Sequence, residues 1–153
     1  MVWNICKKYS DGTYTIRPPA NYNGDIQLTY DVTDGTATVS TSQQFTLASV
    51  NDAPVLTGSA ATLANGTEDV AYTLQASALL QGYSDVDLDT LTISDISINH
   101  GSITLNDDGS YTIHTTKDYN GNVDITYKVN DGTTTTAASQ SFTVTAVNDA
   151  PVL

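Results

Sequence analysis

Apolar and polar residues alternate with a period of two along much of the chain. The segment 25–32 shows this pattern, and the segment 122–129 repeats it. The apolar positions of the two segments are Ile26, Leu28, Tyr30 and Val32, and Val123, Ile125, Tyr127 and Val129. In a β-strand this period places the apolar side chains on one face and the polar ones on the other, so each segment is predicted to be a half-buried strand.

Turn residues separate the alternating segments. Asp-Gly and Asn-Gly pairs, which supply the positive φ angles of tight turns, occur at 11–12, 23–24, 34–35, 108–109, 120–121 and 131–132. We predict strands near 55–63, 69–76, 90–99, 102–106, 110–115, 122–130 and 134–147. The segment 76–82 breaks the alternation, and its leucines followed by Gly82 predict one or two helical turns. Seven short strands are typical of an immunoglobulin-like sandwich, so the predicted class is all-β.

The sequence repeats itself with a period of 97 residues. Residues 11–56 match residues 108–153 without a gap, with 26 identities in 46 positions, whereas residues 1–9 have no counterpart in 98–106. A unit of this length is too long for one turn of a solenoid and suits one domain of a tandem array. We predict that residues 1–50 are the C-terminal half of a preceding repeat, that 51–147 form a complete antiparallel β-sandwich, and that 148–153 begin the next linker.

The two linkers are identical. Val-Asn-Asp-Ala-Pro-Val-Leu occupies residues 50–56 and returns at 147–153. Proline lacks an amide hydrogen and favours an extended residue before it, so this segment suits a joint between two sheets better than the interior of a strand. The amide of Asn51 and the carboxylate of Asp52 are then expected at the joint, where a hard cation could bind.

Charge narrows the classes of partner. The chain has 17 acidic and 5 basic residues and a net charge of −12, so nucleic acid and anionic membranes are unsuitable partners and a cation is favoured. No apolar run approaches the roughly 18 residues that span a bilayer, so membrane insertion is not expected. The single cysteine, Cys6, excludes an intrachain disulfide.

Three acidic segments of the complete repeat suggest a metal site. They are Thr-Glu-Asp at 67–69, Asp-Val-Asp-Leu-Asp at 85–89 and Asn-Asp-Gly at 130–132. If the strands alternate in direction, these loops are expected to converge at the pole that receives the first linker. Calcium takes six to eight oxygen ligands, which such loops can supply. The predicted ligands are Asn51, Asp52, Glu68, Asp69, Asp85, Asp87, Asp89 and Asp131. The alternative is that these are ordinary solvated loop residues.

These motifs, in this order and together with Asp108-Gly109-Ser110-Tyr111 and Val147-Asn148-Asp149-Ala150-Pro151, resemble the cadherin-like tandem repeats of large bacterial surface adhesins of the RTX type. The chain is also remotely similar to cadherin. The resemblance implies an immunoglobulin- or cadherin-like sandwich in which neighbouring domains share calcium at the linker. The implied matches are Glu68 near the domain start, Asp85 and Asp87 in the Asp-x-Asp motif, Asp131 after the penultimate strand, and Asn51-Asp52 in the linker. In cadherin, an acidic loop of the preceding domain lies at the same joint. The matching loop of this chain is 21–25, which is poorer in charge, so the resemblance implies fewer ions.

The expected function follows from this resemblance. We expect a non-enzymatic extender repeat, stiffened by Ca²⁺, of a secreted or surface-bound bacterial adhesin that acts in cell adhesion and biofilm formation. Its partners would be neighbouring repeats of the same chain, with a cell-surface glycan or protein bound by other domains. The alternatives are a glycan- or protein-binding module and an accessory domain of a secreted hydrolase. A catalytic carboxylic acid pair of the glycosidase kind is not expected, because it needs an acid in an apolar pocket and these acids lie in polar loops.

Overall fold

The alternating segments form antiparallel strands in the computed structural model, which describes residues 6–150. The chain divides between Val50 and Asn51 into two units, called unit 1 and unit 2. Unit 1 contains the strands β1 (Cys6–Lys8), β2 (Tyr14–Ile16), β3 (Gly24–Thr33) and β4 (Thr38–Leu47). In unit 1, β1 pairs with β2 and β3 pairs with β4, both antiparallel.

Unit 2 is a sandwich of two sheets. Its elements are β5 (Val55–Leu56), β6 (Gly66–Thr67), β7 (Tyr72–Gln75), α1 (Ala76–Leu80), β8 (Tyr83–Ser84), β9 (Thr92–Ile98), β10 (Ser102–Leu105), β11 (Ser110–His114), β12 (Gly121–Asn130) and β13 (Thr135–Thr145). One sheet has the order β6-β13-β12-β9 and the other β10-β11-β7, while β5 pairs with β8. Only β6 and β13 pair in parallel among these strands. The described residues contain no helix with the length and hydropathy of a membrane span.

The two sheets enclose an apolar core. Along β12 every second side chain is buried, as the alternation predicts, and the side chains between them are exposed. The core consists of Leu74, Leu79, Tyr111, Ile113, Val123, Ile125, Tyr127, Val129, Phe142 and Val144. The Tyr127 hydroxyl donates a hydrogen bond to the Leu79 carbonyl at 2.8 Å, and burial raises the pKa of Tyr127 to about 12. The prediction of an all-β sandwich is confirmed, and the helical turn predicted at 76–82 is α1.

The first strand of unit 2 is shorter than predicted. The prediction of a strand over 55–63 is wrong, because only β5 and β6 are strands and residues 57–65 between them lie outside any ladder. The backbone amides of Thr57 and Gly58 both donate to the carbonyl of Gly82, at 2.9 Å each. A Cβ atom on Gly82 would lie 2.7 Å from the Ser59 carbonyl oxygen. The amides of Thr57 and Gly58 therefore bond to the turn after α1 and not to a neighbouring strand.

Unit 1 repeats the later strands of unit 2 in the same register. Cys6 of β1 pairs with Ile16 of β2, and Ile103 of β10 pairs with Ile113 of β11. Each residue of the first pair is 97 positions before its counterpart in the second pair. The hairpin of β3 and β4 corresponds in the same way to β12 and β13. Strand β1 therefore occupies the place of β10 without sequence identity. Within residues 6–50, unit 1 has counterparts of β10 to β13 and none of β5 to β9.

A matched pair of valines tests how much the apolar face contributes in each unit. Val129 on β12 is fully buried, whereas its counterpart Val32 on β3 is 56% exposed. We expect Val129→Ala to lower the free energy of unfolding of unit 2 by about 2 kcal/mol, because it removes buried methyl groups and leaves a cavity. Val32→Ala should change the stability of unit 1 by less than about 0.5 kcal/mol. Hydrogen exchange of the β12 and β3 amides resolves the two units, and equal losses would contradict the difference in burial.

Candidate metal centre

The loop 85–89 gathers three carboxylates. One oxygen each from Asp85, Asp87 and Asp89 lies within 4.8 Å of the other two. The backbone amide of Asp87 donates to Asp85 Oδ1 at 2.8 Å, which holds the first carboxylate against the loop. Leu88 adopts a φ angle of +65° and is 89% exposed. A left-handed leucine without a buried contact is rare, and this one lies between the second and third aspartates, directly after the bend at residues 86–87.

The first linker is hydrogen-bonded to this loop and to the turn after β12. The side-chain amide of Asn51 donates to Asp131 Oδ2 at 2.9 Å, and the backbone amide of Asp52 donates to Asp87 Oδ2 at 2.8 Å. These two carboxylates are 80 and 35 residues away from their partners along the chain. The two hydrogen bonds therefore hold the linker against unit 2. We call the end of unit 2 that carries the linker and the loop 85–89 the N-terminal pole.

Asp131 is a structural member of this pole. Its Oδ1 atom accepts hydrogen bonds from the backbone amides of Thr133 and Thr134, at 2.6 Å each. Its Oδ2 atom accepts from Asn51 and from the Thr134 hydroxyl, the latter at 2.7 Å. The Thr134 amide and then the Asn51 side chain hold the pKa of the Asp131 carboxyl well below its usual range. Asp131 therefore stays charged, and both of its oxygens are already bound by donors.

Asp85 differs from Asp131 in that only one of its two oxygens has a hydrogen-bond donor among the described residues. It is 7% exposed, and its Oδ2 atom is buried with no hydrogen-bond partner in the described residues. A buried carboxylate oxygen without a donor is costly, and carboxylates at this spacing repel by about 1 kcal/mol per pair even in bulk water. An oxygen-binding cation would neutralise the charge and satisfy that oxygen. The donor set, made only of oxygens, fits a hard ion such as calcium.

Glu68 and Asp69 lie elsewhere. The prediction that they converge with Asp85 and Asp131 is wrong, because the Glu68 amide donates at 3.0 Å to the carbonyl of Thr145, the last residue of β13. Asp131 lies before the first residue of β13. That strand has 11 residues, so the two carboxylates are about 35 Å apart along the strand direction. Residues 55–67 carry the chain from one end of unit 2 to the other, and Glu68 follows that passage. We call this second end the C-terminal pole.

A second acidic cluster occupies the C-terminal pole. Asp69, Asp118 and Asp149 place one carboxylate oxygen each within 4.8 Å of one another, and all three are exposed. Glu68 is 3% exposed and accepts hydrogen bonds from the Val147 amide and, at 3.3 Å, from the Asn120 side chain. Asp118 was not among the predicted ligands. The sequence feature that could have identified Asp118 is its position at the start of the segment 118–121, which corresponds to 21–24 of unit 1.

The loop 21–25 of unit 1 does not repeat this cluster. Asn21 stands where unit 2 has Asp118. Asp25 lies on β3, where it accepts hydrogen bonds from Thr46 and Gln44 of β4. The one carboxylate of this loop is therefore already bound within its own hairpin.

Fold and site together define a class. A two-sheet sandwich whose loops concentrate acidic residues at both poles, with the linker bound to one of them, is typical of a structural or adhesion-type module. A family model described as a cadherin-like domain matches residues 6–48 and 50–145. The chain therefore belongs to the cadherin-like domain family, and the cadherin-like character seen in its sequence is confirmed. Modules of this family typically bind Ca²⁺ and are usually extracellular.

Solved structures contain similar chains. The endo-fucoidan hydrolase MfFcnA4 from glycoside hydrolase family 107 is 28% identical, with a TM-score of 0.44 over 97% of this chain. A variant of the same enzyme gives 28% identity and a TM-score of 0.45, and the endo-fucoidan hydrolase MfFcnA9 gives 19% and 0.37. The chain spans only 23% of the length of the first two and 26% of the third. The comparison with curated proteins returned no match.

Neutralising Asp85 in the absence of metal tests whether its charge is a burden. We expect Asp85→Asn, measured by denaturant unfolding in a chelator, to raise the free energy of unfolding by about 1 kcal/mol, because the substitution relieves repulsion and replaces the unpartnered oxygen with an amide donor. Asp107→Asn, at an exposed turn, is the matched control and should have an effect within about 0.5 kcal/mol. A loss of more than about 1 kcal/mol in Asp85→Asn would show that the carboxylate is satisfied as it stands.

Proposed function

We propose that this chain is a calcium-stiffened extender segment of a large secreted bacterial adhesin of the RTX type. In this role it has no catalytic activity. It holds neighbouring repeats at a fixed angle, so that a binding domain elsewhere in the protein is presented away from the cell. The cell-surface glycan or protein would be recognised by that other domain.

The unpartnered oxygen of Asp85 carries the proposal. Exposed acidic loops are common, but Asp85 is buried and one of its oxygens has no donor in the described part of the chain. Asp87 and Asp89 supply two further carboxylates within 4.8 Å. A divalent cation bound here would supply the positive charge that three close carboxylates lack.

The linker connects this site to the joint between repeats. Asp52 precedes Pro54 by two residues, and its amide is bound to Asp87, one of the three clustered aspartates. Asn51 is held at the same time by Asp131. An ion at Asp85, Asp87 and Asp89 would therefore lie beside a linker that the protein has already positioned. Restricting this linker restricts the angle between the units that it joins.

The acidic cluster at the C-terminal pole also supports a role in binding ions at the joint between repeats. Asp149 belongs to the second copy of the linker, and it lies with Asp69 and Asp118. In a tandem array, the C-terminal pole of one repeat faces the linker of the next. Acidic groups on both sides of the joint would then share ions, as the resemblance to cadherin implies.

Calcium should stabilise unit 2. At 10 mM calcium and a dissociation constant on the order of 10⁻⁴ to 10⁻³ M, typical of extracellular modules, the expected gain is about 1.4 to 2.7 kcal/mol. This gain corresponds to a rise in melting temperature of several degrees. Replacing Asp85 and Asp87 together with alanine should abolish the rise in a thermal melt.

Asp69→Asn is the control for the choice of pole. It lies at the C-terminal pole and should leave most of the calcium response intact. A response that survives in the Asp85 and Asp87 double variant but disappears in Asp69→Asn would move the principal site to the C-terminal pole and contradict the assignment made here.

The stiffening itself can be measured by residual dipolar couplings of the full chain. Without calcium, we expect the two units to align independently. With calcium, we expect both units to report one common alignment. The double variant of Asp85 and Asp87 should show independent alignment under both conditions. Alignment that is the same with and without calcium in the unmodified chain would refute the mechanical role while leaving calcium binding itself intact.

A further inference from the structure

The carboxylate of Asp131 is filled by hydrogen bonds. Its Oδ1 atom accepts from the backbone amides of Thr133 and Thr134. Its Oδ2 atom accepts from the side-chain amide of Asn51 and from the Thr134 hydroxyl. An ionised carboxylate offers about four lone-pair positions. Four donors from the protein therefore occupy the positions that Asp131 could offer to a cation.

Asp85 is buried to the same extent but keeps a position open. Both carboxylates are 7% exposed. The Asp87 amide donates to Asp85 Oδ1, while Asp85 Oδ2 has no hydrogen-bond partner among residues 6–150. Two buried carboxylates of one pole thus differ in what they need. Asp131 is satisfied by donors of the chain, whereas Asp85 needs a group from outside it.

The linker is attached to the segment after β12 by hydrogen bonds that need no metal. The Asn51 side chain donates to Asp131 Oδ2 at 2.9 Å and to the Thr134 hydroxyl at 3.3 Å. Further along the linker, the Thr136 hydroxyl donates to the carbonyl of Pro54 at 2.7 Å. Pro54 is fully buried. None of these bonds involves the three aspartates of the loop 85–89.

The residue type at position 51 controls what Asp131 can bind. An asparagine side chain carries two N–H donors and no charge, so it can occupy a carboxylate position that a cation would otherwise take. An aspartate there would place a second negative charge against Asp131 and raise the demand for a cation. Calcium affinity depends on the number of charged ligands. Asn51 therefore selects a hydrogen bond in place of an ion.

We propose that Asn51 and Asp131 form a metal-independent attachment of the linker to unit 2, and that Asp131 is not a calcium ligand. This inference rests on the proposed calcium site in the loop 85–89, which binds its ion without Asp131. The linker then keeps its place on unit 2 when calcium is removed. The ion adds its effect through Asp87, which accepts the Asp52 amide.

The full chain, labelled with ¹⁵N, tests the attachment with and without calcium. In a chelator, hydrogen exchange of the Asn51 side-chain amide should be at least about tenfold slower than in a free asparagine, because its acceptor is charged. Calcium should shift the backbone amide of Asp87 and leave those of Thr133 and Thr134 nearly unchanged. Protection of the Asn51 side chain that appears only with calcium would overturn the proposal. Shifts at Thr133 and Thr134 as large as that at Asp87 would overturn it as well.

Asn51→Asp replaces the donor with a second carboxylate. In a chelator it should lower the melting temperature, because like charges then face each other. Calcium should restore the stability and now shift the Thr133 and Thr134 amides. Asn148→Asp is the matched control, because Asn148 has the same position in the second linker and its side chain, like that of Asn51, donates to the carbonyl of the next residue. The control should cost less stability and leave both threonine amides unchanged, so equal effects of the two variants would contradict the attachment.

Asn51→Ala covers the case in which Asn51→Asp does not fold. It removes the donor without adding a charge, and it should speed exchange of the Asp52 amide in a chelator about tenfold, because the neighbouring bond to a charged group is lost. Unchanged exchange would overturn the proposal. A calcium response that is absent from the loop 85–89 of the unmodified chain would instead refute the proposed function, while the measurements in a chelator still judge the attachment.

Discussion

Each long strand of the sandwich carries the chain from one pole to the other, and this constraint decides which acidic residues meet. The chain enters unit 2 at Asn51. After one passage it reaches Glu68, after two it returns to Asp85, and after six it returns to Asp131. Loops that follow an even number of passages share the N-terminal pole with the linker. Loops that follow an odd number share the C-terminal pole, where Asp118 and Asp149 join Asp69.

The core could be predicted from the sequence because its signal is local. The period of two in β12 specifies both the strand and the buried face that holds Tyr127 and Val129. The helical turn at α1 could be predicted for the same reason, from leucines followed by a glycine. The first strand could not, since its interruption depends on hydrogen bonds from Thr57 and Gly58 to Gly82, which are 24 to 25 residues away along the chain.

The candidate site could be predicted only in part. The motif at 85–89 and the linker carry their chemistry in the residue types, and the structure brings them together. The prediction placed Glu68 at the N-terminal pole. The chain crosses unit 2 once between the linker and Glu68, so Glu68 lies at the C-terminal pole. The feature that most favours an ion is the Oδ2 atom of Asp85, which has no hydrogen-bond partner within residues 6–150, and it depends on a loop conformation in which Leu88 has a positive φ angle. No residue pattern specifies such a conformation.

The parallel pairing of β6 with β13 has a consequence for mechanical load. The chain enters unit 2 at one pole and leaves it at the other, so tension pulls Asn51 and Val147 in opposite directions. Residues 66–67 and 144–145 run side by side along that axis. The Glu68 amide and the Thr145 hydroxyl add two further hydrogen bonds between the same segments. These bonds are loaded in shear and must break together, which resists force better than bonds that unzip one after another.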